Sequence, residues 1–178
     1  MMSFYKNEYI VVDLETTGLS PNNGDEIIEI GVTEIKDDKI KLNYSRLIKP
    51  RGFISSTITN ITNITNEMVS DAASIEDVLP KFREYIGERT LIAHNAKFDI
   101  KFLNHYLNKM NLDPITDYIC TMEMLKKNKN YHGKNKKLAT ACDYYGIVNE
   151  QAHRADSDTL ATAKLFFAIR NEIYPILE

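Results

Sequence analysis

The chain has 178 residues, 43% of them apolar and 26% charged, with a net charge of −3. A chain of this length buries about 70% of its unfolded surface, enough for a single domain over residues 1–178 without a disulfide or metal staple. The composition excludes collagen, coiled coil and wholesale disorder, and no run of 18 apolar residues is present to span a bilayer. The N-terminus, MMSFYKNEYIVVDLE, lacks the basic, apolar and small-residue segments of a secretory signal, so no membrane partner is expected. Cys120 and Cys142 make no disulfide framework, which points to a reducing cytoplasm. The sequons at Asn43, Asn60 and Asn63 are then chance matches.

Mild net acidity argues against wholesale wrapping of nucleic acid and says little about a local site. The charge is uneven, because residues 126–137, KKNKNYHGKNKK, hold six lysines and no acid. Two readings fit that stretch: a solvated loop, or a set of phosphate contacts.

In chain order, Tyr9 to Leu14 is a short apolar run with two valines and reads as a buried strand. Gly18 to Gly24, GLSPNNG, is a loop. Ile27–Ile35 and Lys39–Ile48 are β-rich and separated by Lys36-Asp37-Asp38, which predicts a hairpin ended by Pro50 and Gly52. Residues 58–66, ITNITNITN, read as a loop leading into a short helix near Glu67. Ser74 to Asp77 resembles a capping box, and Ile75 to Ile86 follow at helical spacing up to Gly87. Leu91–Ala93 is a short strand, Phe98–Met110 an amphipathic helix, and Tyr118–Cys120 a last strand. Leu138–Tyr145 is helical with Gly146 as its left-handed stop, and Ala155–Glu172 is a long helix ended by Pro175. The order predicts an α/β domain: a mixed β-sheet with an N-terminal antiparallel hairpin, flanked by helices.

Three places carry chemistry. Asp13 and Glu15 stand two apart on an apolar strand, so both side chains point to one face. Side by side they repel and lose hydration, and a cation between them removes both costs. The ordinary alternative ends the strand at Val12 and leaves two solvated turn acids. The following Thr16, Thr17 and Gly18 bring hydroxyls, backbone donors and a sharp turn that a terminal nucleotide can approach. Asp99, in His94-Asn95-Ala-Lys-Phe-Asp99, opens a helix after a strand. It is either a further ligand or simply an acid favoured by the helix dipole. His94 and Asn95 are equally readable as hydrogen-bonded structural groups. His153 and Asp158 come third. Five residues of α-helix turn about 500°, which sets the two side chains about 140° apart. His153 is therefore placed in a loop and Asp158 within the following helix, where Asp158, Ala161, Thr162 and Leu165 form the inward face. Asp156 takes a capping role. An exposed surface histidine is the ordinary reading of His153. Four carboxylates suit two Mg²⁺ or Mn²⁺ ions, not zinc, and such a pair stabilises both oxygens of a phosphoryl displacement.

VVDLETTGL, IIEIG, HNAKFDIKFL and the His153-x₄-Asp158 spacing together resemble the DEDDh group of 3′–5′ exonucleases. Within it they are similar to the proofreading exonucleases of bacterial DNA polymerase III, including the domain embedded in Gram-positive replicative polymerases. The resemblance runs over about residues 7–172. It implies a ribonuclease-H-like fold, and hydrolysis that frees 5′-mononucleotides from single-stranded or frayed DNA 3′ ends. It implies that Asp13, Glu15 and Asp158 hold the ion that activates water, with Asp13 and Asp99 serving a second ion and His153 as general base. Thr16, Thr17, Leu19, Asn95 and Phe98 would line the pocket for the terminal nucleotide. A DNA polymerase is a partner that the resemblance raises.

Three departures stand out. Relatives often carry His-Gly-Ile after the hairpin, where this chain has Thr62-Asn63-Ile64. Many have an acid where Cys120 stands. The chain stops at Glu178 without the tail that ties the proofreading subunit to its polymerase, so attachment is not assumed. The rival readings are the same chemistry on RNA, a non-catalytic nucleic-acid or polymerase-binding module, and a metal-independent phosphate-binding protein. The intact set of four acids and a histidine argues against the last two.

Overall fold

A computed structural model describes residue 4 and residues 6–173. Its centre is one five-stranded mixed sheet in the order β3-β2-β1-β4-β5. Strand β1, Glu8–Thr16, pairs antiparallel with β2, Ile27–Lys36, which pairs antiparallel with β3, Lys39–Leu47. On its other side β1 runs parallel to β4, Thr90–Ala93, and β4 runs parallel to β5, Tyr118–Cys120. The turn between β2 and β3 has Asp37 and Asp38 at φ 50° and 56°. Aspartate tolerates that region, and the geometry matches the right-handed strand twist.

Strand β1 is longer than the expected Tyr9–Leu14. It runs on through Asp13 and Glu15, so the two acids are strand residues and not solvated turn residues. Register sets the faces. Tyr9, Val11, Asp13 and Glu15 share one side with their partners Ile35, Thr33, Gly31 and Glu29. The apolar members of that side pack under the last helix, α6, Ala155–Ile173, through Ala163, Leu165, Phe166 and Ile169. On the opposite side Ile10, Val12, Leu14, Ile30 and Val32 pack on α2, Ile75–Ile86, and α3, Lys97–Lys109. A smaller cluster of Ile28, Ile54, Ile64 and Val69 lies beneath α1, Ser56–Thr62.

Two expectations are corrected. The ITN repeat is not a loop before a helix near Glu67. Helix α1 comes first, capped by Ser55, whose side chain accepts from the Ile58 N–H, and residues 66–71 are turns. The Thr62 hydroxyl bonds back to the Ile58 carbonyl at 3.0 Å, which satisfies a β-branched polar residue inside a short helix. Asn63 then ends it at φ 59°. The second correction is α4, Thr121–Lys127, a seven-residue helix too short to show a period. Lys126 and Lys127 are its last turn, and Lys126 donates to Glu123 at 2.6 Å. The basic loop therefore begins at Asn128. Helix α5, Leu138–Tyr145, ends at Gly146 with φ 66°, as expected. Pro175, expected to stop α6, lies outside the described residues.

Candidate active site

The three parallel strands end at one edge of the sheet, and ligand sites of open α/β sheets lie at such ends. Asp13 and Glu15 reach that edge on β1. Strand β4 runs out through His94 into Asn95, which sits at φ 64° and turns the chain into α3. Asp99, in the first turn of α3, is buried and accepts from the Leu14 N–H at 3.2 Å. One hydrogen bond thus joins the third acid to the strand that carries the first two.

The fourth acid arrives from α6. Gly31, paired with Asp13, makes this possible. A Cβ at Gly31 would lie 2.2 Å from the Ala155 carbonyl oxygen, so only glycine lets the start of α6 rest on β2. Asp158 is buried one turn into α6. Its carboxylate accepts from Asn149 Nδ2 at 2.5 Å and from the His153 N–H at 3.0 Å. His153 sits in the turn before α6 at φ 66°, with its ring exposed. Ligand atoms of Glu15, His153 and Asp158 lie within 4.8 Å of one another, close enough to share one cation. Asp156 is not an N-cap. It lies inside the first turn of α6, where its carboxylate accepts from the Ser157 N–H at 2.9 Å.

Electrostatics mark the same place. Burial, then Asp99, Glu15, Asp158 and Glu29, push the Asp13 carboxyl well above its usual range. Burial and then Asp158 push Glu15 up to about 8. Burial raises Asp99 to about 8, against the pull of backbone N–H groups. Burial also raises Asp158, although Asn149 and the His153 N–H oppose it. Four carboxylates held near one another with their charged forms disfavoured are a site that a cation would relieve. An all-carboxylate set with one imidazole suits a hard divalent ion such as Mg²⁺ or Mn²⁺.

The remaining candidates surround this edge. Thr16 is buried, and its hydroxyl donates to the Gly18 carbonyl at 2.6 Å. The Thr17 hydroxyl accepts from the Glu26 N–H at 2.8 Å, and the Thr17 N–H donates to the Glu26 carbonyl at 2.8 Å. Gly18 is pressed against the Asp25 side chain. These bonds fold the TTG turn tightly and leave Leu19 exposed beyond it. Asn95 is exposed, and Phe98 is half-buried, its ring 5.0 Å from that of Phe102. His94 is structural. Its Nε2 donates to the Lys136 carbonyl at 2.8 Å and its Nδ1 accepts from the Thr121 hydroxyl at 2.9 Å, while burial lowers its basicity. It ties the end of the basic loop to β4.

Glu29 was not among the residues singled out by sequence. It stands opposite Glu15 and is fully buried. Burial opposes its charge, but the bonds from Arg154, Ser45 and the Ala155 N–H prevail and hold its carboxyl below the usual range. The IIEIG block contained it, yet its partner lies 125 residues away, and a lone acid in an apolar strand names no partner.

Among known proteins, the Exonuclease family model RNase_T matches residues 10–166. The DNA polymerase III PolC-type of Caldanaerobacter subterraneus subsp. tengcongensis is 40% identical over 171 residues, covering 96% of this chain and 12% of that polymerase. The chain thus spans about an eighth of that relative's length. Exonuclease X, solved in complex with 5′-overhanging duplex DNA, superposes with a TM-score of 0.73 at 29% identity, over 92% of this chain and 91% of the other. The nuclease domain of 3′hExo, a DEDDh family member solved with rAMP, has the same fold, with a TM-score of 0.79 at 20% identity, over 94% and 92% of the two chains. Asp13, Glu15, Asp99, His153 and Asp158 gather at one edge of a ribonuclease-H-like sheet, and the chain belongs to the exonuclease family that the RNase_T model describes.

Proposed function

We propose that residues 1–178 act as one exonuclease domain that digests DNA from its 3′ end and releases 5′-mononucleotides, with two divalent cations, Mg²⁺ or Mn²⁺. The observation that carries this reading is the gathering of four mutually repelling carboxylates and one exposed imidazole at the carboxyl edge of β1 and β4. Likeness to PolC-type polymerases supports DNA over RNA, a cytoplasmic setting, and work on ends exposed by replication or repair.

Glu15, Asp158 and Asp13 would hold one cation, and Asp13 with Asp99 the other. Bound there, the cations would neutralise the carboxylates, oppose charge building on the phosphate and acidify a water. His153 is not buried and stands beside Glu15 and Asp158, so its imidazole can take a proton from the attacking water. The TTG turn and Leu19, with Asn95 and Phe98, would form the walls around one nucleotide. A paired terminus must unstack to enter, so single-stranded or frayed ends are preferred. The PolC-type relatives raise a DNA polymerase as a partner.

The test is digestion of matched 3′-labelled and 5′-labelled single-stranded DNA and RNA with Mg²⁺, Mn²⁺ or EDTA. The reading expects loss of a 3′ label as mononucleotide, faster on DNA, and none in EDTA. Full activity in EDTA, or internal cuts in circular single-stranded DNA, would overturn it.

A further inference from the structure

The histidine that the proposed mechanism relies on has no packed side chain to fix it. Its ring is exposed and its backbone is at φ 66°, a left-handed region that disfavours a non-glycine residue. Such a conformation persists only where the surroundings over-determine it. Before the ring, the His153 N–H is tied to Asp158. After it, besides the turn's own bond from the Arg154 N–H to the Gln151 carbonyl, the chain is tied to the buried Glu29. The Arg154 guanidinium reaches one Glu29 oxygen at 2.7 Å and the other at 3.3 Å, and the Ala155 N–H donates to Glu29 at 3.1 Å. The Ser45 hydroxyl donates to Glu29 at 2.7 Å, so the carboxylate itself cannot swing. Glu29 is opposite Glu15 in the sheet, so the clamp is built on the same strand pair as the first two acids.

Resting on the exonuclease reading above, we infer that the Glu29–Arg154 pair is a positioning device that holds the His153 turn over Glu15 and Asp158. A buried carboxylate beside an acidic cluster would otherwise be a cost, since it adds to the repulsion on Asp13 and Glu15. Its forked partner offsets that cost and turns Glu29 into an anchor for the turn. Lysine cannot replace the fork, because an ammonium offers one point of charge and no planar pair of donors. The device acts through geometry, so its loss should be read in the chemical step and not in substrate affinity.

The experiment uses the full chain, with Arg154→Ala, Arg154→Lys and Glu29→Gln made both in wild type and in His153→Ala, on a single-stranded DNA substrate with Mg²⁺. Arg154→Ala strands the buried Glu29 carboxylate and lowers stability, so thermal melts check that each variant is folded at the assay temperature. Glu29→Gln, which breaks the ion pair without stranding a buried charge, is the second variant and should lower kcat in the same way. The inference expects Arg154→Ala to lower kcat about 100-fold with KM within about twofold, as misplacing a reacting group by about 1 Å does. Arg154→Lys should recover less than a tenth of that loss. In the His153→Ala background Arg154→Ala should cost less than about threefold further, because the residue it positions is gone. Full additivity in the double variant, or a raised KM at unchanged kcat, would overturn it and make Arg154 a contact of the substrate or of Glu15. If His153→Ala itself leaves kcat intact, the exonuclease reading loses its base. If His153→Ala is crippled and Arg154→Ala is not, only the positioning role fails.

Discussion

His153 and Asp158 sit five residues apart and should answer differently to removal. A base that takes a proton from water contributes about 10²–10⁴-fold, so His153→Ala should lower kcat by that much in steady-state kinetics. The rise in melting temperature expected from Mg²⁺ or Mn²⁺ should survive it, because the proposed ligands are the carboxylates. Asp158→Ala should lose both the activity and much of that rise. Loss of the cation-induced rise in His153→Ala would instead make the imidazole a ligand, which its distance to Glu15 and Asp158 allows. Glu15 and Asp99 make a second prediction. Both have folded-state pKa values of about 8, above the roughly 4 of an unfolded carboxylate. A raised folded value means that the folded state prefers the protonated form. Their contribution is therefore complete below about pH 4 and is lost as pH rises to about 8. In EDTA the protein should melt lower at pH 8.5 than at pH 6, and each 2 kcal/mol lost would be read as about 4–8 °C. Added Mg²⁺ should shrink the difference, and Asp99→Asn should shrink it without metal. A melting temperature in EDTA that does not fall over this interval would mean that the acids are not crowded.

At the scale of elements, the site depends on how closely α6 approaches β2. Gly31→Ala sets a methyl against the backbone of Ala155, and neither strand nor helix start can yield cheaply. Overpacking of this kind costs about 1–3 kcal/mol, so melting should fall by about 2–12 °C for a chain of this size. Activity should fall more than stability alone explains, because Arg154 and Asp158 move with the helix. The basic stretch makes another element-scale prediction. His94 pins its far end through the Lys136 carbonyl, which leaves the lysine side chains of that end at liberty to meet phosphates. Neutralising Lys134, Lys136 and Lys137 should raise KM and flatten its salt dependence, with kcat little changed. An unchanged KM at low salt would mean that the loop is only solvated. The strands and long helices were legible in sequence because each carries a period or a stop of its own: the apolar run of β1, the stripe of α3, Gly146 after α5. Helices α1 and α4 were not. Both have seven residues, too few for a period to show; α1 is written in Ile-Thr-Asn repeats, and α4, TMEMLKK, runs directly into the lysine-rich stretch.

At the scale of the whole molecule, legibility followed sequence distance. Asp13 with Glu15, and His153 with Asp158, are each readable because their partners lie within a few residues. The union of these blocks at one edge was read from family likeness, since nothing local in either block points to the other. Glu29 with Arg154, and Gly31 with Ala155, were hidden because each pair joins β2 to the start of α6 across more than a hundred residues, and contacts at that separation leave no pattern in either segment. The arrangement of the sheet explains the spread. Strand β1 lies in the middle of the order β3-β2-β1-β4-β5, so it meets the hairpin on one side and the later half of the chain on the other. A centre built in this way cannot exist in part. During synthesis, at about 5–20 residues per second, Asp13, Glu15, Glu29 and Asp99 leave the ribosome well before Arg154 and Asp158. Until α6 docks, Glu29 has no guanidinium and Asp13 no opposing ligand from the helix. The nascent protein therefore carries the acids of its site before the residues that complete it, and the site closes only when α6 docks.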